Sequence, residues 1–211
     1  MDLMPDQVVS YLENLVPERH PEMMIMEKYA RKENFPIIGP VCGYLCYQLT
    51  RMIKARKVFE LGSGYGYSTA WFARAVQENG GGTVHHAVWD ESLSGMARVH
   101  LKNLGFDKII EYHVGEAVTE LEGINDKFDL VFNDINKEGY PASLPVIKDK
   151  LRPGGILITD NILWHGQVFD KGNHGKSTEG VRDFTQKITS DSDWIVTLIP
   201  IRDGLIVALK K

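Results

Sequence analysis

Over residues 5–35 the apolar positions recur at helical spacing. Val8, Leu12, Leu15 and Val16 form one stripe and Met23, Met26, Tyr29 and Ala30 another, parted by Pro17 and Pro21. Pro36–Pro40 reads as a turn, and Leu45, Leu49, Met52 and Ile53 then mark a third helix opened by Pro40. Beyond it the period shortens. Lys57–Leu61 is predicted as a strand that runs into Gly62-Ser63-Gly64-Tyr65-Gly66, followed by a helix from Ser68 to about Gln77. Further strands are predicted at Thr83–Trp89, Lys108–Val114, Phe128–Asn133 and Gly155–Thr159, with helices at Leu93–Leu104, Ala117–Leu121 and Pro141–Leu151 between them. Phe128–Asn133 is nearly all apolar and so is expected to be buried on both faces. Gly80-Gly81-Gly82 and Pro153-Gly154-Gly155 read as turns, and the polar segment 166–176 as a mobile loop. Thr178–Thr189 reads as a helix capped by Ser177 or Thr178, and Trp194–Pro200 with Leu205–Leu209 as two strands joined across Arg202-Asp203-Gly204.

Strands alternating with helices imply an α/β fold: a Rossmann-like, doubly wound, mostly parallel sheet, to which the C-terminal hairpin adds an antiparallel strand. At 211 residues the chain suits one domain, 1–211, with residues 1–35 as an N-terminal helical cap. Apolar residues at 43% and charged residues at 25% exclude wholesale disorder. With Lys+Arg 24 against Asp+Glu 28 the net charge is −4, which argues against a chain built to wrap nucleic acid. Cys42 and Cys46 lie one helical turn apart with no further ligands at defined spacing, so they read as reduced core thiols. No segment reads as a targeting signal, and no apolar run approaches the roughly 20 residues that span a bilayer, so the cytoplasm is the expected compartment and no membrane partner is expected.

A strand that ends in glycines and leads into a helix is built to receive an anion or nucleotide, because the backbone can approach closely and the helix N-terminus presents unpaired N–H groups. Glycines at 62, 64 and 66 give G-x-G-x-G, one place short of the dinucleotide fingerprint G-x-G-x-x-G, which disfavours a nicotinamide-dependent oxidoreductase. Two further strand ends carry carboxylates: Asp134 follows the fourth strand and Asp160-Asn161 the fifth. Both fall at the carboxyl edge of a parallel sheet, where adjacent strands are about 4.8 Å apart. Asp134, Asp160 and Asn161 could thus converge as hard oxygen ligands suited to Mg²⁺, Ca²⁺ or Mn²⁺.

ELGSGYGYS at 60–68 resembles the S-adenosylmethionine-binding loop of class I methyltransferases. Its Gly-Tyr-Ser ending is similar to that of the metal-dependent catechol and caffeoyl-coenzyme A O-methyltransferases. NDINKEGY at 133–140 and DNILWHG at 160–166 are similar to two further segments of that family, and LIPIRDGLIVALKK at 198–211 resembles its closing hairpin, where Arg202 replaces a common glycine. The resemblance implies that Glu60, Gly62, Ser63, Gly64, Gly66 and Ser68, with Asp134 beside them, hold S-adenosylmethionine. It implies Asp134, Asp160 and Asn161 as ligands of a divalent cation, magnesium above all, and Lys137 as the base for a substrate hydroxyl. A lysine near a cation and a sulfonium is expected to have a lowered pKa. The substrate it implies is a small hydroxylated aromatic with vicinal hydroxyls, and the assembly a homodimer.

The chain departs from the family in places. Val88 stands where an acidic ribose ligand is usual, so Asp90 takes that expectation, with turn capping as its alternative. Glu116 and Ala117 match the adenine side. Trp89 could cover the adenine or pack in the core. Asn136 and His165 are expected near the substrate mouth, Trp164 could stack on an aromatic substrate or serve structural packing, and His85 and His86 alternate faces of one strand and so make a poor chelate. Two other readings stay open. One is O-methylation of a hydroxylated tRNA base, for which Arg19, Lys28, Arg31, Lys32, Lys171 and Lys176 would form a basic rim. The other is a non-catalytic cofactor-binding relative.

Overall fold

The computed structural model describes residues 4–211. Seven strands form one sheet in the order β3-β2-β1-β4-β5-β7-β6, where β1 is Lys57–Leu61, β2 Thr83–Val88, β3 Ile110–Val114, β4 Phe128–Asn133, β5 Leu151–Thr159, β6 Trp194–Ile199 and β7 Leu205–Lys210. Strands β1 to β5 are mutually parallel; β7 lies antiparallel to β5, and β6 antiparallel to β7. The hairpin therefore extends the sheet by two strands rather than one.

Helices cover both faces. Helices α2 (Pro21–Glu33), α3 (Gly39–Met52), α4 (Tyr67–Glu78) and α5 (Glu91–Asn103) bury Met26, Cys46, Trp71, Phe72 and Leu101 on one side. On the other, α6 (Ala117–Gly123), α7 (Tyr140–Lys150) and α8 (Lys176–Ser190) bury Leu121, Tyr140, Ile147 and Phe184. Strand β4 is buried almost throughout, as its unbroken apolar run requires. Cys42 and Cys46 are both buried and free, and burial pushes the Cys42 thiol up to about 12, which keeps it neutral and inert.

Helix α2 is part of this core. Its Glu27 is 4% exposed, held by a two-point ion pair with Arg19 at 2.7 and 3.1 Å, and it accepts the Tyr67 hydroxyl at 2.8 Å. Tyr65 donates to the Met26 carbonyl at 3.0 Å. Helix α1 (Asp6–Leu15) is different: its stripe is helical as predicted, but no residue of it is buried, because it lies outermost against α3.

Four local expectations are corrected. Strand β5 begins at Leu151, paired with Phe128, so Pro153-Gly154-Gly155 is an irregularity within the strand and not the turn before it. Residues 107–109 form a 3-10 turn ahead of β3. Gly175 is the cap of α8, and Ser177 and Thr178 lie inside its first turn. Trp89 does not pack in the core; it follows the end of β2 and is 68% exposed. No helix among the described residues is long and apolar enough to cross a membrane.

Candidate functional site

The strand order reverses between β1 and β4, and the carboxyl ends of these strands open into a cleft of about 670 Å³. Such a switch point is where ligands bind in open α/β sheets, because the connections on either side leave in opposite directions. One wall is the glycine loop. Gly62 has φ +88°, and a Cβ there would stand 2.4 Å from the Asp134 carbonyl oxygen, so only glycine lets the loop pass this close to the end of β4. Ser63 ties the loop to the end of β2: its backbone N–H donates to Ala87 O at 2.9 Å and its hydroxyl accepts from Ala87 N at 3.0 Å. Gly62, Ser63, Gly64 and Ser68 face the cleft, with Phe35 and Tyr65 beside them. Gly66, behind the loop, caps α4 with φ +91°.

Glu60 lies fully buried at the end of β1. One carboxylate oxygen accepts the Thr69 hydroxyl, while Oε1 is without a partner. Thr69 in turn faces His86 Nδ1 at 3.0 Å, and His86 Nε2 is without a partner. Burial pushes the Glu60 pKa up to about 7, against the opposing hydroxyls of Ser68, Thr69 and Ser63. Burial also drives His86 down to about 3. A buried carboxylate with an orphaned oxygen beside a cradle of glycines suits a ligand that brings its own cationic donor.

Asp134 continues the cleft lining next to this loop. Lys137, in the 3-10 turn that follows, donates to Asp134 Oδ1 at 2.7 Å and to Ile135 O at 3.2 Å. The ammonium lies over the rings of Tyr140 and Trp164, 5.1 and 5.8 Å from their centroids, and Lys137 is only 8% exposed. Gly180 of α8 fixes this turn from below, since a Cβ there would meet Lys137 O at 2.3 Å. Burial and the neighbouring Asp160 push the Asp134 pKa up to about 6, opposed by Lys137.

Asp160 and Asn161 end β5 next to it, as the carboxyl-edge argument requires. Asp160 is fully buried, and each of its oxygens has a partner: Oδ1 accepts the Asn161 N–H at 2.7 Å and Oδ2 the Arg202 guanidinium at 2.7 Å. Burial works against the Arg202 charge, but Asp160 first and then its other neighbours hold its pKa above the ordinary value. Asn161 donates to Asp203 Oδ2 at 3.1 Å, and Asp203 Oδ1 accepts His165 N–H at 2.6 Å. The three oxygen ligands read from the sequence are thus brought to one place. They do not fit a divalent cation in this arrangement, because the permanently charged Arg202 already neutralises Asp160 and would repel a second cation there.

Three other expected site residues, Asp90, Glu116 and Ala117, fall outside the cleft. Asp90 is the N-cap of α5, accepting from Ser92 N at 2.7 Å and Leu93 N at 3.1 Å. Glu116 caps α6 in the same way through Val118 N and Thr119 N, and Ala117 is buried beside it. All three stand just beyond the ends of β2 and β3, to one side of the glycine loop. His165 lines the mouth with its side chain 62% exposed. The segment 166–176 is not loose: Arg182 donates to the carbonyls of Gln167, Val168, Asp170 and Asn173, a use of the guanidinium fork that no local pattern announces. His85 and His86 do take opposite faces, yet register puts His85 with Glu111 and His113, whose ligand atoms lie within 4.8 Å of one another. Sequence reading missed Arg202, Asp203, Gly180 and this cluster; for Arg202 the one signal was its place in the hairpin motif.

The O-methyltransferase family profile matches residues 19–211. The chain is 31% identical over 171 residues to the catechol O-methyltransferase domain-containing protein 1 of Mus musculus, covering 79% of this chain and 64% of that protein, and so spans under two thirds of its length. It is 25% identical over 183 residues to the catechol O-methyltransferase of Niastella koreensis, covering 82% of each. Among solved structures, the O-methyltransferase TomG of Streptomyces achromogenes, involved in tomaymycin synthesis and solved with SAM, superposes with a TM-score of 0.88 at 28% identity, covering 97% of this chain and 96% of that one. The glycine loop, the Lys137 turn and the β5 edge all lie within the matched span, and the chain belongs to the O-methyltransferase family, enzymes that draw their methyl group from S-adenosylmethionine.

Proposed function

We propose that this chain moves the methyl group of S-adenosylmethionine onto a hydroxyl of a small hydroxylated aromatic molecule, with Lys137 as the base. The observation that carries this reading is that the glycine loop and Lys137 line one cleft. The cofactor's ammonium would supply the partner that Glu60 Oε1 lacks, and its carboxylate would lie along the loop amides. Asp90, Glu116 and the exposed Trp89 would flank its adenosine. Lys137 takes the acceptor proton. The acceptor oxygen then attacks the methyl carbon, and the electron pair of the breaking bond stays on sulfur, turning the sulfonium into a neutral thioether. Alignment of oxygen, carbon and sulfur supplies most of the acceleration in such a displacement.

An aromatic acceptor matches the Trp164 and Phe35 side chains at the mouth. The tRNA reading is less favoured, because Arg19 and Lys32 of the expected basic rim already pair with Glu27 and Glu33. The exposed Val8, Tyr11 and Leu15 of α1 suit a second copy of the chain. Calorimetry with S-adenosylmethionine and with NAD, followed by a methyl-transfer screen of catechols against undermethylated tRNA, tests this reading. The expected result is binding of S-adenosylmethionine alone and transfer to a catechol; preferential binding of NAD, or transfer to tRNA alone, overturns it.

Glu60→Gln separates binding from stability. The native state keeps a proton on Glu60 between pH 4.5 and about 7 that the unfolded chain releases, so this group makes stability fall as pH rises through that window. At pH 8 the variant should be more stable than the parent by roughly 1–2 kcal/mol, with the difference vanishing below pH 4.5. Its affinity for S-adenosylmethionine should drop by about 10 to 100-fold, the worth of a hydrogen bond to a charged group. Thermal melts at the two pH values and calorimetry check both.

A further inference from the structure

We propose that Arg202 stands in this chain where a divalent cation would otherwise serve, so that its guanidinium, together with Lys137, binds and stabilises the oxyanion of the acceptor and methyl transfer runs without a metal. The inference deepens the methyl-transfer reading above and rests on it.

The first observation is charge pairing. Two carboxylates end β4 and β5, and each already has its own cation: Asp134 has Lys137 at 2.7 Å and Asp160 has Arg202 at 2.7 Å. A metal on Asp160 would stand beside the guanidinium that already neutralises this fully buried carboxylate, so it would have to displace Arg202 or leave Asp160 out of its coordination.

The second observation is that Arg202 is placed, not merely nearby. It sits at the tip of the β6–β7 hairpin with φ +54°, a left-handed conformation that glycine adopts freely and arginine does not. The hairpin is locked to the segment after β5 by Leu163 N to Asp203 O at 2.8 Å, Ile162 N to Gly204 O at 3.1 Å and both carboxylate oxygens of Asp203. Gly204 comes so close that a Cβ would stand 2.5 Å from Leu163 Cγ. A side chain held on a strained backbone at a locked tip is a built feature.

The third observation concerns what remains free. The bond to Asp160 is the one side-chain hydrogen bond of Arg202 among the described residues, and Arg202 lines the same cleft as Lys137. Its remaining donors can receive an oxygen that carries negative charge, and a planar fork suits a phenolate, or the two oxygens of a catecholate or salicylate. The chemistry balances without a further reactant. The acceptor proton goes to Lys137, the O–C bond forms as the S–C bond breaks, and Arg202 keeps its charge throughout.

The test is Mn²⁺ binding followed by electron paramagnetic resonance, on the full chain and on Arg202→Gly, each with and without Asp160→Asn. Glycine relieves the backbone at φ +54°, so loss of the fold is not expected from this change. At roughly 100 µM Mn²⁺, the parent should hold no ion that Asp160→Asn removes, whereas Arg202→Gly should gain one that it does remove. Any ion at the His85, Glu111 and His113 cluster is unaffected by Asp160→Asn and is thereby told apart. In parallel, transfer to pyrocatechol by the parent should be unchanged by EDTA, and that by Arg202→Gly should fall in EDTA and recover with Mg²⁺. An Asp160-dependent Mn²⁺ site in the parent overturns the proposal, as does full turnover by Arg202→Gly in EDTA. Failure of the methyl-transfer reading is distinguishable, because it appears as loss of S-adenosylmethionine binding in every variant, whatever the Mn²⁺ titration shows.

Discussion

Lys137→Met should lower kcat by about 10² to 10⁴, the usual contribution of a positioned base, while leaving the affinity for S-adenosylmethionine close to that of the parent. The side chain is replaced by one of similar length that suits the space between the Tyr140 and Trp164 rings, so the change removes the amine and little of the packing. The ion pair to Asp134 is lost as well, and that carboxylate then takes up a proton more readily. Because the loss falls on the chemical step, single-turnover methyl transfer with saturating cofactor is the measurement that isolates it. The pH–rate profile adds an independent readout, since the limb that reports deprotonation of the base should disappear. A fall of only a fewfold, or an unchanged pH profile, would remove Lys137 from the role of base.

Gly62→Ala should act at the glycine loop and on the other quantity. The new Cβ would lie 2.4 Å from the Asp134 carbonyl oxygen, backbone that has no room to give, and φ +88° is itself unfavourable for any other residue. Strain of this kind is worth about 1–3 kcal/mol, which corresponds to about 10 to 100-fold in cofactor affinity if the loop shifts to relieve it. The same shift separates the loop from Asp134 and so also reduces turnover. Calorimetry with S-adenosylmethionine checks the first effect, and a melting curve shows how much of the strain the fold absorbs. Wild-type affinity in the variant would mean that the loop does not hold the cofactor by close backbone approach.

These two positions were legible in the sequence for the same reason. A glycine cluster between an apolar strand and a helix, and carboxylates at the ends of successive strands, are local patterns whose meaning follows from the parallel sheet they help to predict. Asp134, Lys137, Asp160 and Asn161 are within a few residues of strand ends, so placing the strands places them. Arg202 reaches the site from 42 residues beyond Asp160, and only the fold of the terminal hairpin shows that it ends on that carboxylate. The His85, Glu111 and His113 cluster depends on the register of β2 against β3, which alternation along either strand alone does not set. Arg182 was invisible for a third reason: it binds carbonyl groups, and every residue has one. Asp90 shows the converse limit, where the capping alternative was correct for the part of the carboxylate that is bonded.

The anchoring of Tyr65 to the Met26 carbonyl and of Tyr67 to Glu27 bears on how such an enzyme can be re-engineered. Helix α2 and the glycine loop form one mechanical unit, so α2 cannot be treated as an interchangeable module. Grafting that helix from a relative would loosen the loop at the same time, unless the phenol-to-helix tethers travel with it. A chimera therefore has its natural joint after the loop, inside α4, and not at the proline-rich turn that looks like the domain's seam.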